Sequence, residues 1–280
     1  MNAYSTGEKI LEVRGVNLSF SGVPVLRGLE CGIHNITRPG KNQGQVVCLL
    51  GPSGVGKSQF FRILAGLQSL HATTDQIAIS GEVLVSAERL PIQVGMVGVV
   101  PQNYATFPHR KVLGNLLVAG KQRGLSTEAA TVKAMELLGK FGIADKANSY
   151  PAELSGGQRQ RVSIIQQMMC SSHFLLMDEP FSGLDPIAKA QACNLILSLS
   201  QVDELNTSIV TTHDIDTAIT VADTIWLMGR DRDERGNPIG ARIQQIYDLA
   251  AMGLAWDLDI RSRPAFQQLS LQIHQDFQKL

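Results

Sequence analysis

The chain has 280 residues, 44% of them hydrophobic, enough to bury a substantial core in one large domain or two small ones. Its 25 Lys and Arg balance 25 Asp and Glu, so the formal net charge is zero, which argues against nucleic-acid binding through bulk electrostatics. No apolar run reaches the ~18–20 residues that span a bilayer, and the opening MNAYSTGEKI lacks the basic start and apolar stretch of a secretory leader, so any membrane role is expected to be peripheral.

In chain order, Ile10–Val13 and Asn17–Phe20 read as strands, and Ser21-Gly22 as a turn before Val23–Leu26. Pro39-Gly40 is a further turn. Gln45–Leu50 contains an unbroken apolar run, as suits a strand covered on both faces of a parallel sheet. A glycine-rich loop follows, then the helix-like Gln59–Leu64. Val94–Val100 is another strand candidate. Residues 103–154 read as mostly helical, with Ser126 as an N-cap, Val132, Met135, Leu138 and Phe141 on one face, and Gly142 as a stop. Phe174–Met177 is a buried strand ending at Asp178-Glu179, and Pro186–Ser200 a helix with Pro in its first turn. Ser208–Thr212 is a strand ending at His213, with Asp214 capping a following helix. Thr224–Met228 is a strand, residues 230–240 a charged, turn-rich loop, and the chain from Ser262 a surface helix. Cys31, Cys48, Cys170 and Cys193 have no metal-like spacing, so reduced thiols are expected, with Cys48 a small buried apolar residue. Strand, glycine loop and helix open an α/β nucleotide-binding fold, and such sheets hold ligands at the carboxyl ends of their strands.

Gly51-Pro52-Ser53-Gly54-Val55-Gly56-Lys57-Ser58 fits GxxxxGK[ST] without mismatch. Glycines let backbone N–H groups wrap phosphate oxygens, and the helix that follows aims its positive end at the anion. The pattern assigns Lys57 to the β- and γ-phosphates and the Ser58 hydroxyl to Mg²⁺. Asp178, at a strand tip, is placed to hold Mg²⁺ through water, and Glu179 to polarise an attacking water. Alone, an apolar run ending in Asp-Glu reads equally well as a strand meeting solvent; the phosphate loop upstream tips the balance. Leu154-Ser155-Gly156-Gly157-Gln158 is a second anion-binding helix start, with Ser155 as cap. One chain does not easily aim both helix starts at one γ-phosphate, whereas two chains arranged head-to-tail do. His213, taken by itself, reads as a capping or surface histidine.

In this order the motifs resemble the ATP-binding-cassette (ABC) ATPase subunits over about residues 8 to 230. Gly51–Ser58 is similar to their Walker A loop, Phe174–Glu179 to Walker B and Leu154–Gln158 to the signature motif. Gln102 matches the Q-loop glutamine, Ser182-Gly183-Leu184-Asp185 the D-loop, and His213 the H-loop histidine. Phe20 stands where the family has an aromatic that stacks on adenine. The resemblance implies an α/β P-loop NTPase (RecA-like) core with an antiparallel β subdomain and an inserted α-helical signature subdomain. It implies a core of residues 1–102 and 155–245, a helical insert of 103–154 and a C-terminal helical extension of 246–280. Glu179, His213, Gln102 and Lys57 take catalytic roles. Gly51 to Ser58, Gln59, Phe20, Ser155, Gly156, Gly157, Gln158 and Asp185 contact nucleotide, and Ser58, Gln102 and Asp178 serve the metal.

Three features depart from the family pattern: Gln59 replaces a small hydroxyl residue, Ser163–Met168 replaces an Ala- and Arg-containing helix, and residues 34–44 read as an insertion. About 95 residues separate Ser58 from Leu154, too few for the coiled coil of chromosome-maintenance relatives. A single cassette does not match tandem translation-factor or excision-repair types, and the tail beyond Gly240 is short for the regulatory barrel of sugar importers. The resemblance therefore implies an ATP- and Mg²⁺-using transporter subunit, cytoplasmic and peripheral on the inner face of the membrane. Its partners would be a second copy of itself and a transmembrane permease docked around Gln102 to Asn115, with a solute-binding protein involved indirectly and no nucleic acid. Phe107-Pro108-His109 with Val112 and Asn115 is similar to polar-amino-acid importer subunits. The alternative is a non-transport ABC ATPase that signals to a membrane or soluble partner.

Overall fold

The computed structural model describes residues 4–37, 44–70, 74, 76–171, 174–200, 206–255 and 259–280. β1 (Ser5–Phe20) and β2 (Val23–Thr37) form a long antiparallel hairpin. Ser21 and Gly22 both take positive φ, 48° and 80°, so the two-residue turn follows the right-handed strand twist. β3 (Gln45–Leu50) feeds the glycine loop and α1 (Lys57–Leu64). β4 (Ile77–Val85), β5 (Leu90–Pro91) and β6 (Gly98–Val100) follow. Next come α2 (Val112–Gln122), α3 (Thr127–Lys140) and α4 (Gly156–Cys170). The chain then runs through β7 (Phe174–Met177), α5 (Pro186–Ser200), β8 (Thr207–Thr212) and α6 (Ile215–Val221). It finishes with β9 (Thr224–Arg232), β10 (Pro238–Asp248) and α7 (Pro264–Phe277).

The strands join in the order β5-β4-β1-β2-β10-β9-β3-β8-β7-β6. β9, β3, β8, β7 and β6 run parallel, whereas β5, β4, β1 and β2 are antiparallel. The two halves meet where β10 pairs with β2 at Ala241 and Leu26. Every residue of β3 is buried, and its side chains alternate between two cores. Val46, Cys48 and Leu50 enter the core beneath the helical layer; Val47 and Leu49 enter the one shared by α1 and the antiparallel strands. Burial in that apolar setting pushes the Cys48 thiol far above its ordinary range. The four cysteines are all free.

The helices α2, α3 and α4 pack on one another. Gly120 permits the close approach of α2 to α3: a Cβ there would stand 2.8 Å from the Ala130 Cβ. Ser126 caps α3, accepting from the Ala129 N–H at 3.1 Å. Gly142, at φ 65°, ends that helix, with the Ile143 N–H donating to the Leu138 carbonyl.

Several elements differ from the expectation. Ile10–Val13 and Asn17–Phe20 belong to one strand, interrupted by register shifts between Val13 and Leu18. The strand expected over Val94–Val100 is confined to Gly98–Val100. In α3, Val132 and Met135 are exposed, and the buried face is Ala130, Ala134, Leu137 and Leu138. A three-residue step falls ~60° short of a full turn, so repeating it walks around the helix instead of following one face. Residues 230–240 are a hairpin rather than a loop: β9 continues to Arg232 and β10 begins at Pro238. The C-terminal helix is not merely superficial, because Phe266, Leu269 and Ile273 are buried in the core beneath the helices. Residues 34–37 of the expected insertion extend β2, whereas Pro39-Gly40 lies outside the described residues.

Candidate active site

The carboxyl ends of β3, β7 and β8 converge, and the loops leaving them carry the residues singled out above. Leaving β3, residues 51–56 turn tightly into α1, with Gly54 at φ 76° and Gly56 at φ 124°. Gly51 has no room for a side chain, since a Cβ would stand 2.6 Å from the Met228 carbonyl oxygen on β9. The backbone N–H groups of Gly54, Gly56, Lys57 and Ser58 make no hydrogen bond with the described residues, leaving donors for an anion at the positive end of α1. Lys57 is buried and folds over the loop, its Nζ donating to the Gly51 carbonyl at 2.8 Å and the Pro52 carbonyl at 3.2 Å.

Asp178 and Glu179 follow the last residue of β7, Glu179 with a left-handed φ of 46°. One Glu179 carboxylate oxygen, Oε1, lies 3.4 Å from Lys57 Nζ. The other, Oε2, is 3.0 Å from His213 Nδ1 at the end of β8. Lys57, Glu179 and His213, each singled out separately in the sequence, thus stand together in space. Asp214 caps α6 by accepting from the Thr217 N–H at 2.9 Å and pairs with Lys189 at 2.6 Å. Burial works to raise its carboxyl, but Lys189 and the Thr217 bond outweigh that and hold it below the ordinary aspartate value.

Asp185 caps α5, accepting from the Ile187 and Ala188 N–H groups at 2.9 Å each. Ser155 and Gln158 form a reciprocal capping box at the start of α4: Ser155 Oγ accepts from the Gln158 N–H at 3.3 Å and Gln158 Oε1 from the Ser155 N–H at 3.0 Å. Ser155, Gly156 and Gly157 are exposed, and among the described residues no hydrogen bond or ion pair joins residues 155–158 to residues 51–58. Gln102 is exposed in the turn after β6 and makes no side-chain hydrogen bond with the described residues. Gln59 and Phe20 are half-buried; Phe20 ends β1, away from the other groups in sequence and on the antiparallel side of the sheet. Phe107 is exposed at a turn locked by the buried Asn115, which accepts from the Phe107 N–H at 2.7 Å and donates to the Phe107, Arg110 and Lys111 carbonyls.

Three residues outside the sequence motifs also shape the site. Arg230 on β9 donates to the Gly54 carbonyl at 2.6 Å, bracing the tip of the glycine loop. The Tyr104 hydroxyl donates to the Pro180 carbonyl at 3.2 Å, tying the Q-loop region to the Walker B segment. Thr211 bridges Asp178 and Glu179. Nothing in a local pattern marks any of them, because each acts across strands distant in sequence.

Comparison with known proteins gives the family of the chain. Residues 40–182 match the ABC transporter family. The chain is 36% identical to the L-cystine transport system ATP-binding protein TcyN of Escherichia coli (strain K12), over 79% of this chain and 87% of that one. It is 34% identical to the glutamine transport ATP-binding protein GlnQ of the same organism, over 82% of this chain and 92% of that one. Its fold resembles that of cbiO1 from Clostridium perfringens, part of the ABC transporter complex cbiONQ, at a TM-score of 0.70 and 22% identity, covering 95% of this chain and 99% of that one. The chain belongs to the ABC transporter family, as an ATP-binding subunit. Among the described residues no helix is long and apolar enough to cross a membrane.

Proposed function

We propose that the chain hydrolyses ATP at a site completed by a second copy of itself, and that the cycle of closure and opening drives a membrane permease. The observation that carries this reading is Glu179 standing between Lys57 and His213, beside the N–H groups of Gly54, Gly56, Lys57 and Ser58, which make no hydrogen bond with the described residues. Residues 51–59 bind the phosphates, Lys57 moving from its carbonyl partners to the β- and γ-phosphates as they arrive. Phe20 stacks on the base. Glu179 takes a proton from the attacking water, and His213 orients Glu179 and contacts the γ-phosphate. Exposed residues 155–158, with Asp185, supply the opposed copy's site.

Ser58, Asp178 and Gln102 offer hydroxyl, carboxylate and amide oxygens, the hard donors that Mg²⁺ prefers alongside phosphate and water. Asp178 Oδ1 is engaged by Thr211, which leaves Oδ2 for the cation's water shell. Mg²⁺ there supplies neutralisation of charge on the β- and γ-phosphates.

The core of residues 1–102 and 155–245 then carries the nucleotide, the helices of 103–154 transmit its state, and residues 246–280 buttress α6. The exposed turn around Phe107, rigid because Asn115 holds it, suits docking to a permease at the cytoplasmic face of the membrane. Relatives named for cystine and glutamine transport support a small polar solute as cargo. The test is Glu179→Gln: ATP binding persists, turnover falls by about two orders of magnitude or more, and ATP-trapped dimers accumulate on gel filtration. Unchanged turnover removes Glu179 from its role. A membrane protein recovered with the wild type from detergent extract, and stimulating its ATPase activity, separates transport from signalling.

A further inference from the structure

β8 pairs with β7 in register, Ile209 beside Leu176 and Val210 beside Met177. Side chains alternate along both strands, so Thr211 shares the face of Ile209 and Asp178 that of Leu176. Ile209 and Leu176 both enter the core beneath α1, so Thr211 and Asp178 face the phosphate-loop side of the sheet. Thr211 is 1% exposed. Its Oγ1 donates to Asp178 Oδ1 at 2.7 Å and accepts from the Glu179 backbone N–H at 2.8 Å. A hydroxyl carries one proton and has lone pairs to spare, so both bonds form at once, each in its required direction.

We propose that Thr211 is a positioning residue for hydrolysis. Its proton occupies one oxygen of Asp178 and so fixes which oxygen is turned toward the cation's shell. Its lone pair holds the Glu179 backbone at its left-handed φ of 46°, which sets where the Glu179 carboxylate stands between Lys57 and His213. Valine has the same shape and neither bond. Serine keeps both bonds and loses only a methyl group. The inference rests on the hydrolase reading above.

The experiment compares wild type, Thr211→Val and Thr211→Ser in two measurements: Mn²⁺ affinity of the complex with the non-hydrolysable analogue AMP-PNP, read by electron paramagnetic resonance, and the kcat and KM for ATP. For Thr211→Val the expected result is a loss of about tenfold or more in kcat and a several-fold weaker Mn²⁺ affinity, with KM for ATP within about twofold of wild type. Thr211→Ser stays within about threefold on both counts. If Thr211→Val does not fold, Thr211→Ala replaces it with the same expectation. Wild-type kcat and Mn²⁺ affinity in the hydroxyl-free variant overturn the proposal. So does equal impairment of Thr211→Ser, which would point to the methyl group. A wild type that binds AMP-PNP and turns over ATP while the hydroxyl-free variant matches it overturns this inference alone; a wild type that does neither overturns the hydrolase reading as well.

Discussion

Lys57 Nζ and Glu179 Oε1 face each other at 3.4 Å across the mouth of the glycine loop, although 122 positions separate them in the chain. In this arrangement the ammonium is held by two carbonyls and a carboxylate, oxygen acceptors whose place the anionic oxygens of a triphosphate can take. Lys57→Ala is therefore expected to weaken ATP binding by about tenfold or more, read by titration with a fluorescent nucleotide. Wild-type affinity in that variant would contradict the assignment of residues 51–58 to phosphate.

Among the described residues the exposed start of α4 makes no hydrogen bond or ion pair to residues 51–58, which suits a site shared between two copies. Two inactive variants test this, one in each half-site: Lys57→Ala and Gly156→Asp. A Cβ at Gly156 meets no atom within 4 Å, so the second variant adds a negative charge at the proposed shared site without a clash at its Cβ. Mixing the two creates dimers with one intact site, and ATPase activity is expected to reappear. Silence in the mixture, or full activity of Gly156→Asp alone, speaks against a shared site.

Asp214 ties the loop after His213 to α5 through Lys189 and caps α6. Its carboxyl is held below the ordinary aspartate value, so the charged form is favoured by folding. The stabilisation is present above the ordinary aspartate value and is lost as pH falls from there through the lowered one. Asp214→Asn keeps the cap and removes the charge. Urea denaturation at neutral pH and near pH ~3 is expected to show a smaller stability drop in this variant than in wild type. Identical drops would show that Asp214 contributes nothing to the pH dependence.

Much of the site was readable because its parts are local. Gly51–Ser58 must turn tightly, so its glycines are written in the sequence, and Ser126, Ser155 and Asp214 each cap the helix that starts beside them. The elements that escaped are those fixed by distant neighbours. Arg230–Arg232 look like loop because a hairpin strand with one wet face carries charge, and only pairing with β10 makes them a strand. Phe266, Leu269 and Ile273 lie at helical spacing in α7, a pattern that by itself points to a buried face. Thr211 had no signal at all: a threonine in an apolar strand is ordinary until β7 is laid beside it.

The carbonyl of Met228 abuts Gly51, and the guanidinium of Arg230 grips Gly54 from outside. The floor and the rim of the glycine loop, where the proposed reading puts the phosphates, are thus supplied by a strand that carries no nucleotide motif. Substitutions in this hairpin would surface in assays as lost affinity for ATP, and a genetic screen would place them in the nucleotide-handling class without a consensus residue having been touched.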